Sequence, residues 1–207
     1  MPIDPNTILE TVHDSETVED TIRVYGEWAA TYEETMTAHG YRSPWVVASM
    51  LMVRASDKQT RILDVGCGTG MTGVSLAKVG FTDVDGLDVS PDMLNQARAK
   101  SVYNNLVTAD LLQTVDIADN TYGAAVSVGT FTFGHVGPDR IPEIIRIVRP
   151  RGLFILTVRV EAWDEHGYDE YLNTLVDNGL ITILDDQVQS HFDKRDQRAH
   201  FLVLGKN

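Results

Sequence analysis

Residues 61–70 read Arg-Ile-Leu-Asp-Val-Gly-Cys-Gly-Thr-Gly. Ile62, Leu63 and Val65 form a short apolar run that predicts a buried strand. Gly66, Gly68 and Gly70 alternate after it, and a helical segment follows at once. Lacking Cβ atoms, such a loop can take positive φ and let a ligand touch the main chain. A strand, a glycine loop and a helix N-terminus make a nucleotide-type pocket at the carboxyl end of the strand. Acids stand at the ends of the next two predicted strands, Asp88 and Asp110.

Two cofactor classes fit this pattern. Residues 68–73 satisfy G-x-G-x-x-G and Asp88 follows Gly68 by 20 positions, as a dinucleotide site expects. Against a dinucleotide stands Asp64, a carboxylate within the strand, two residues before the first glycine. Its negative potential opposes a pyrophosphate and favours a ligand bearing an ammonium and a sulfonium. S-adenosyl-L-methionine carries both. Asp88 can then accept from the ribose hydroxyls and Asp110 from the adenine amino group, with Val89, Met93 and Leu111 as apolar walls. Cys67 in the loop, Ala109 after the third strand, and Val128 and Gly129 ending the fourth complete the expected cofactor site.

The elements that must position these groups can be read in order. Residues 1–17 are polar, acidic and proline-bearing, and predict a loose arm. Apolar residues at helical spacing predict one amphipathic helix over 18–38, ended by Gly40, and Pro44 opens a second; together these form a helical cap over 18–58. One of Tyr25, Trp28 or Tyr32 is placed to close over the pocket, the rest being packing. Residues 59–207 alternate strands and helices, which implies a parallel sheet with helices on both faces. Ser90 is a natural N-cap with Pro91 behind it. Helices are expected over 71–79, 141–148 and 168–178, and strands over 83–88, 122–128 and 153–160. The last two strands, 180–184 and 200–204, have only a polar segment between them and read as an antiparallel edge hairpin. The expected fold is a Rossmann-like three-layer α/β/α sandwich with a mostly parallel seven-stranded sheet.

Ile-Leu-Asp-Val-Gly-Cys-Gly-Thr-Gly, then Gly-Leu-Asp-Val-Ser-Pro-Asp-Met-Leu, then Arg-Ile-Val-Arg-Pro-Arg-Gly-Leu-Phe-Ile-Leu together resemble the class I S-adenosylmethionine-dependent methyltransferases. The resemblance covers residues 61–159. The stretches at 25–33, 40–44 and 133–136 are similar, more narrowly, to the Williams–Beuren-region methyltransferase-like group. The family likeness places Asp64, Gly66 and Gly68 around the methionine moiety, Asp88 on the ribose and Asp110 on the adenine. It implies S-adenosyl-L-homocysteine as product. Arg151 departs from a glycine usual in the family, a change expected to be harmless.

Methyl transfer is an in-line displacement that needs alignment and desolvation, plus a base when the acceptor is a hydroxyl or ammonium. His135, in the glycine-flanked loop after the fourth strand, is the candidate base, ahead of His13, His39, His166, His191 and His200. Residues 128–131 lack the Asn/Asp-Pro-Pro-aromatic tetrapeptide, and no Pro-Cys pair offers a nucleophile for cytosine C5. The cluster Asp164, Glu165, His166, Asp169 and Glu170 reads as an acidic helix start, so no metal is expected. A formal net charge of −13 opposes binding to a polyphosphate backbone. One cysteine, no signal-peptide pattern and no long apolar run point to a cytoplasmic protein. The acceptor is expected to be a small molecule, with no nucleic-acid or membrane partner; the oligomeric state is open. Alternatives are a non-catalytic cofactor-binding module, a protein methyltransferase and, remotely, an NAD-dependent dehydrogenase.

Overall fold

A run of four buried residues makes β1 (Ile62–Val65) an interior strand, covered on both faces. Around it the chain builds β2 (Val84–Asp88), β3 (Leu106–Thr108), β4 (Tyr122–Phe131), β5 (Val148–Arg159), β6 (Ile181–Ser190) and β7 (Arg198–Lys206). The order is β3-β2-β1-β4-β5-β7-β6: the first five pair in parallel, and β7 runs antiparallel to both β5 and β6. The expected edge hairpin is therefore present. The structure, a computed structural model, describes residues 17–132 and 136–207. The predicted arm, except Thr17, and the candidate base His135 lie outside the described residues.

Helices cover the two faces. Val47 and Leu51 of α3 (Ser43–Arg54) and Leu76 of α4 (Met71–Lys78) pack with Ile62, Val84 and Val126 on one side. Leu63 and Val65 face the other way, onto Ile141 and Ile145 of α6 (Ile141–Ile147) and Leu172 of α8 (Tyr168–Asp177). Strand alternation thus divides β1 between the layers. Ser90 caps α5 (Pro91–Ala99): its hydroxyl accepts from Met93 N at 3.4 Å.

Three elements differ from their sequence reading. The single helix over 18–38 is two, α1 (Val18–Trp28) and α2 (Tyr32–Ala38), separated by a turn in which Thr31 N donates to Trp28 O. The aromatic spacing runs straight across that turn because Trp28, Tyr25 and Tyr32 pack into one cluster, so periodicity conceals the break. The segment between 160 and 168 contains a short helix, α7 (Val160–Glu165). Strand β6 extends through the polar residues Asp185–Ser190, which an edge strand with a solvated face accommodates. Arg151 sits at φ +62, the left-handed region where a glycine is easier.

Below the sheet's ligand-bearing end, Asp85 on β2 is 1% exposed. It accepts from Arg61 Nη2 at 2.8 Å, Tyr122 Oη at 2.9 Å and Asn105 Nδ2 at 2.7 Å. Removing the acceptor orphans all three donors. Asp85→Ala is expected to cost about 2 kcal/mol in urea denaturation, whereas an isolated surface carboxylate would cost nearly nothing.

Candidate functional site

Parallel strands deliver their carboxyl ends to one edge, and the order reverses between β1 and β4, where such sheets open a crevice. After β1 the chain turns sharply: Gly66 N and Cys67 N both donate to Leu87 O, at 2.7 and 2.9 Å. Asp88 then ties this loop to the next one. Its Oδ2 accepts from Gly68 N and its Oδ1 from Ser90 N, both at 2.8 Å. Burial raises the Asp88 pKa, and the amides of Ser90, Gly68 and Val89 pull it back. An ionised carboxylate has about four acceptor positions, so these two bonds leave capacity for a ligand.

The crevice is a cavity of about 530 Å³. Gly66, Gly68 and Asp88 line it from the first two strand ends, with Val89 and Met93 from the start of α5. Ala109, Asp110 and Leu111 line it after β3, and Val128 and Gly129 from β4. Asp110 is held as an Asx turn, its Oδ1 accepting from Leu112 N at 2.8 Å. Thr17, Thr21 and Tyr25 of the α1 segment, and Tyr32 of α2, close the open side. The cap is braced there by Lys100 on Glu33 at 2.7 Å and by close packing of Gly26 against Asp92.

Three predicted residues lie elsewhere. Asp64 is fully buried beneath the loop rather than on the wall: Tyr103 Oη donates to its Oδ2 at 2.6 Å, and Tyr103 in turn accepts from Gly73 N at 3.1 Å. Burial, opposed by the Tyr103 bond and helped by Asp88, raises the Asp64 pKa to about 7. Its Oδ1 is a buried oxygen with no hydrogen-bond partner among the described residues. Cys67 is buried, and burial pushes its thiol pKa up, so it is a packing residue. Trp28 lines a second, smaller cavity of about 70 Å³ that shares Tyr25, Tyr32, Gly129 and Thr132 with the first. Trp28 lies edge-on to Tyr32 at 4.7 Å and stacked on Tyr25 at 6.1 Å. Gly73, the last glycine of the dinucleotide-like pattern, is packed under the Tyr103 ring, where a Cβ would overlap the phenol.

Thr130, Thr132 and His166, none of them among the expected cofactor contacts and His166 a lesser candidate base, also stand on the wall of the large cavity. The β-branched run continuing past Val128 was the available signal for the first two. His166, read in the sequence as part of an acidic helix start, arrives at the end of α7. Among the described residues no helix is long and apolar enough to cross a membrane.

Residues 62–152 match a family model described as a methyltransferase domain. The chain is 32% identical over 159 residues to human methyltransferase-like protein 27, covering 75% of this chain and 64% of that protein. This supports the narrower resemblance noted from residues 25–33, 40–44 and 133–136. It is also 33% identical over 78 residues to an 18S rRNA (guanine-N(7))-methyltransferase of Bos taurus, covering 38% of this chain and 27% of the relative. The chain thus spans less than two thirds of both relatives. Its fold superposes on an S-adenosylmethionine-dependent methyltransferase of Mesorhizobium loti with a TM-score of 0.59, at 17% identity over 76% of this chain and 96% of the other.

Proposed function

We propose that this chain is a class I S-adenosylmethionine-dependent methyltransferase that binds S-adenosylmethionine in its large cavity and methylates a small-molecule acceptor. The observation that carries the reading is Asp88, ionisable, half-buried on the cavity wall, and fixed by the Gly68 and Ser90 amides. Two further observations fit the same cofactor. Asp64 holds a buried oxygen with no partner among the described residues, directly behind the loop. A Cβ on Gly68 would meet nothing within 4 Å, so the main chain is open to close approach there.

In this reading Asp88 holds the ribose hydroxyls and Asp110 the adenine amino group, between the apolar walls of Met93 and Leu111. Gly66 and Gly68 admit the methionine moiety, and Asp64 supplies negative potential from below. When bound, the cofactor supplies a methyl carbon activated by a positively charged sulfur. The protein's own part is alignment and exclusion of water, served by Tyr25 and Tyr32 on the covering helices. Burial and the neighbouring Asp88 raise the pKa of both phenols, so they act as neutral donors. His166 on the wall, and His135, which follows β4 in sequence and lies outside the described residues, are the groups to take a proton from a hydroxyl or ammonium acceptor.

A helical cap over the cavity, together with the net charge of −13, supports a small acceptor over a polynucleotide. The experiment is calorimetric titration with S-adenosylmethionine, S-adenosylhomocysteine and NAD, followed by a methylation assay over small-molecule and protein acceptors. Tighter binding of NAD than of S-adenosylmethionine would overturn the cofactor. Cofactor binding without transfer to any acceptor would favour a non-catalytic binding module.

Asp64 gives this site a pH dependence. With its pKa near 7, the carboxyl is mostly neutral at pH 6 and mostly ionised at pH 8. A sulfonium favours the ionised form, so affinity for S-adenosylmethionine rises with pH across this window, and binding releases protons. The expected gain is about threefold to tenfold, and smaller for S-adenosylhomocysteine, which lacks the sulfonium. Calorimetry in two buffers of different ionisation enthalpy measures the released proton; an identical pH slope in Asp64→Asn would assign it to another group.

A further inference from the structure

Asp64 stands on β1 opposite Gly86 of β2 and Val126 of β4, and neither of these register partners carries a charge. What reaches it comes from the segment between α5 and β3. The Tyr103 ring fills space that three glycines leave. A Cβ would come within 2.3 Å of that ring at Gly73, and within 3.2 Å of it at Gly70 and at Gly86. Gly70 and Gly73 are the glycines that complete the dinucleotide-like pattern of residues 68–73, so here they accommodate a phenol. Two hydrogen bonds pass through that phenol. Gly73 N, in the first turn of α4, donates to Tyr103 Oη at 3.1 Å, and Tyr103 Oη donates to Asp64 Oδ2 at 2.6 Å. First-turn amides are the donors that a pyrophosphate uses, and this one is already taken.

Asp64 is wholly buried, and its Oδ1 has no partner among the described residues. A buried carboxylate oxygen is seldom left in that state without a role. Several groups face this carboxyl. Asp88 opposes its charge, and the Gly73 amide favours it. Burial raises the pKa values of Cys67 and Tyr41, which feel Asp64 as well, and both are held neutral. Lys100, packed near Gly70, is paired with Glu33 at 2.7 Å. Of the groups that favour the charged form of Asp64, Tyr103 acts most strongly. Burial and then Asp64 raise the Tyr103 pKa in turn, so the phenol keeps the proton that it donates.

Resting on the cofactor reading above, we infer that Tyr103 is a positioning residue that fits the loop to a cationic methyl donor: it holds Asp64 by Oδ2 in the charged form that a sulfonium attracts. Its ring is locked between α4 and β2, so the O–H is delivered to one place. Tyr103→Phe keeps the ring among its glycines and removes only that O–H. Losing a donor to the ionised form raises the pKa of Asp64, and the carboxyl is then less charged at neutral pH.

The first measurement needs no cofactor. The 13C shift of the Asp64 carboxyl, assigned by its loss in Asp64→Asn, should titrate about one pH unit higher in Tyr103→Phe. The second compares S-adenosylmethionine with S-adenosylhomocysteine by calorimetry at pH 7. The two share an ammonium, so their affinity ratio reports the sulfonium alone. That ratio should shift about fivefold against S-adenosylmethionine in Tyr103→Phe, and adding the same change to Asp64→Asn should move it no further. An unmoved carboxyl midpoint in folded Tyr103→Phe overturns the inference. Equal losses for both ligands, with the ratio unchanged, would leave Tyr103 a packing residue and overturn it too. If the unaltered chain binds neither ligand, the cofactor reading falls and takes this inference with it. The carboxyl titration distinguishes that failure from one confined to Tyr103.

Discussion

Asp88→Ala is expected to weaken S-adenosylhomocysteine binding about 100-fold, from the loss of two hydrogen bonds to an ionised acceptor worth about 1.5 kcal/mol each. The same change leaves the Gly68 and Ser90 amides without their acceptor, so part of the loss comes from a loosened loop. A double-mutant cycle separates the two contributions. An analogue lacking the ribose 2′-hydroxyl should bind the unaltered protein more weakly than S-adenosylhomocysteine does. On Asp88→Ala the analogue and the full ligand should bind alike. Calorimetry measures all four corners. Unchanged affinity in Asp88→Ala would remove the carboxylate from the cofactor site, and additive losses would leave it only a brace for the loop.

That brace explains why part of this site was legible in the sequence. Gly66, Gly68 and Asp88 follow from local rules: a buried strand, a loop free of Cβ atoms and an acid at the next strand end. Ser90 with Pro91, and the hairpin of β6 and β7, were legible for the same reason, since capping and the missing crossover helix are local signals. Asp64 was legible as an acid but not in its position. Its partner Tyr103 lies 39 residues downstream and reaches it only because β2 and β3 pair beside β1. The small cavity was hidden more completely. It joins Trp28 of the cap, Arg159 of β5 and His191 of the turn after β6, residues brought together by sheet order rather than by any spacing. Tyr25 and Tyr32, which share the apolar stripe read across 18–38, line both cavities, whereas Trp28, beside that stripe, lines the small one.

The glycine loop itself yields the other large effect, because its first two glycines are needed for different reasons. Gly66 has φ +67, and a Cβ there would fall inside the Thr130 side chain. Thr130 cannot swing away without giving up its bond to Val65 O at 3.2 Å. Left-handed backbone costs a side-chain-bearing residue about 1–2 kcal/mol, and overpacking adds about 1–3. Gly66→Ala should therefore lose about 4 kcal/mol, which in a chain of this size lowers the melting temperature by about 10 °C. Gly68 has φ +53 and open space where its Cβ would stand, so Gly68→Ala carries only the backbone cost, about 1 kcal/mol. Its added methyl occupies the surface offered to the cofactor, and S-adenosylhomocysteine affinity should fall at least tenfold in a protein that still melts cooperatively. A Gly68→Ala protein that binds S-adenosylhomocysteine as tightly as the unaltered chain would mean that the ligand does not approach the loop. A Gly66→Ala protein of undiminished stability would mean that Thr130 yields, and that the contact between β4 and the loop is softer than its hydrogen bond implies.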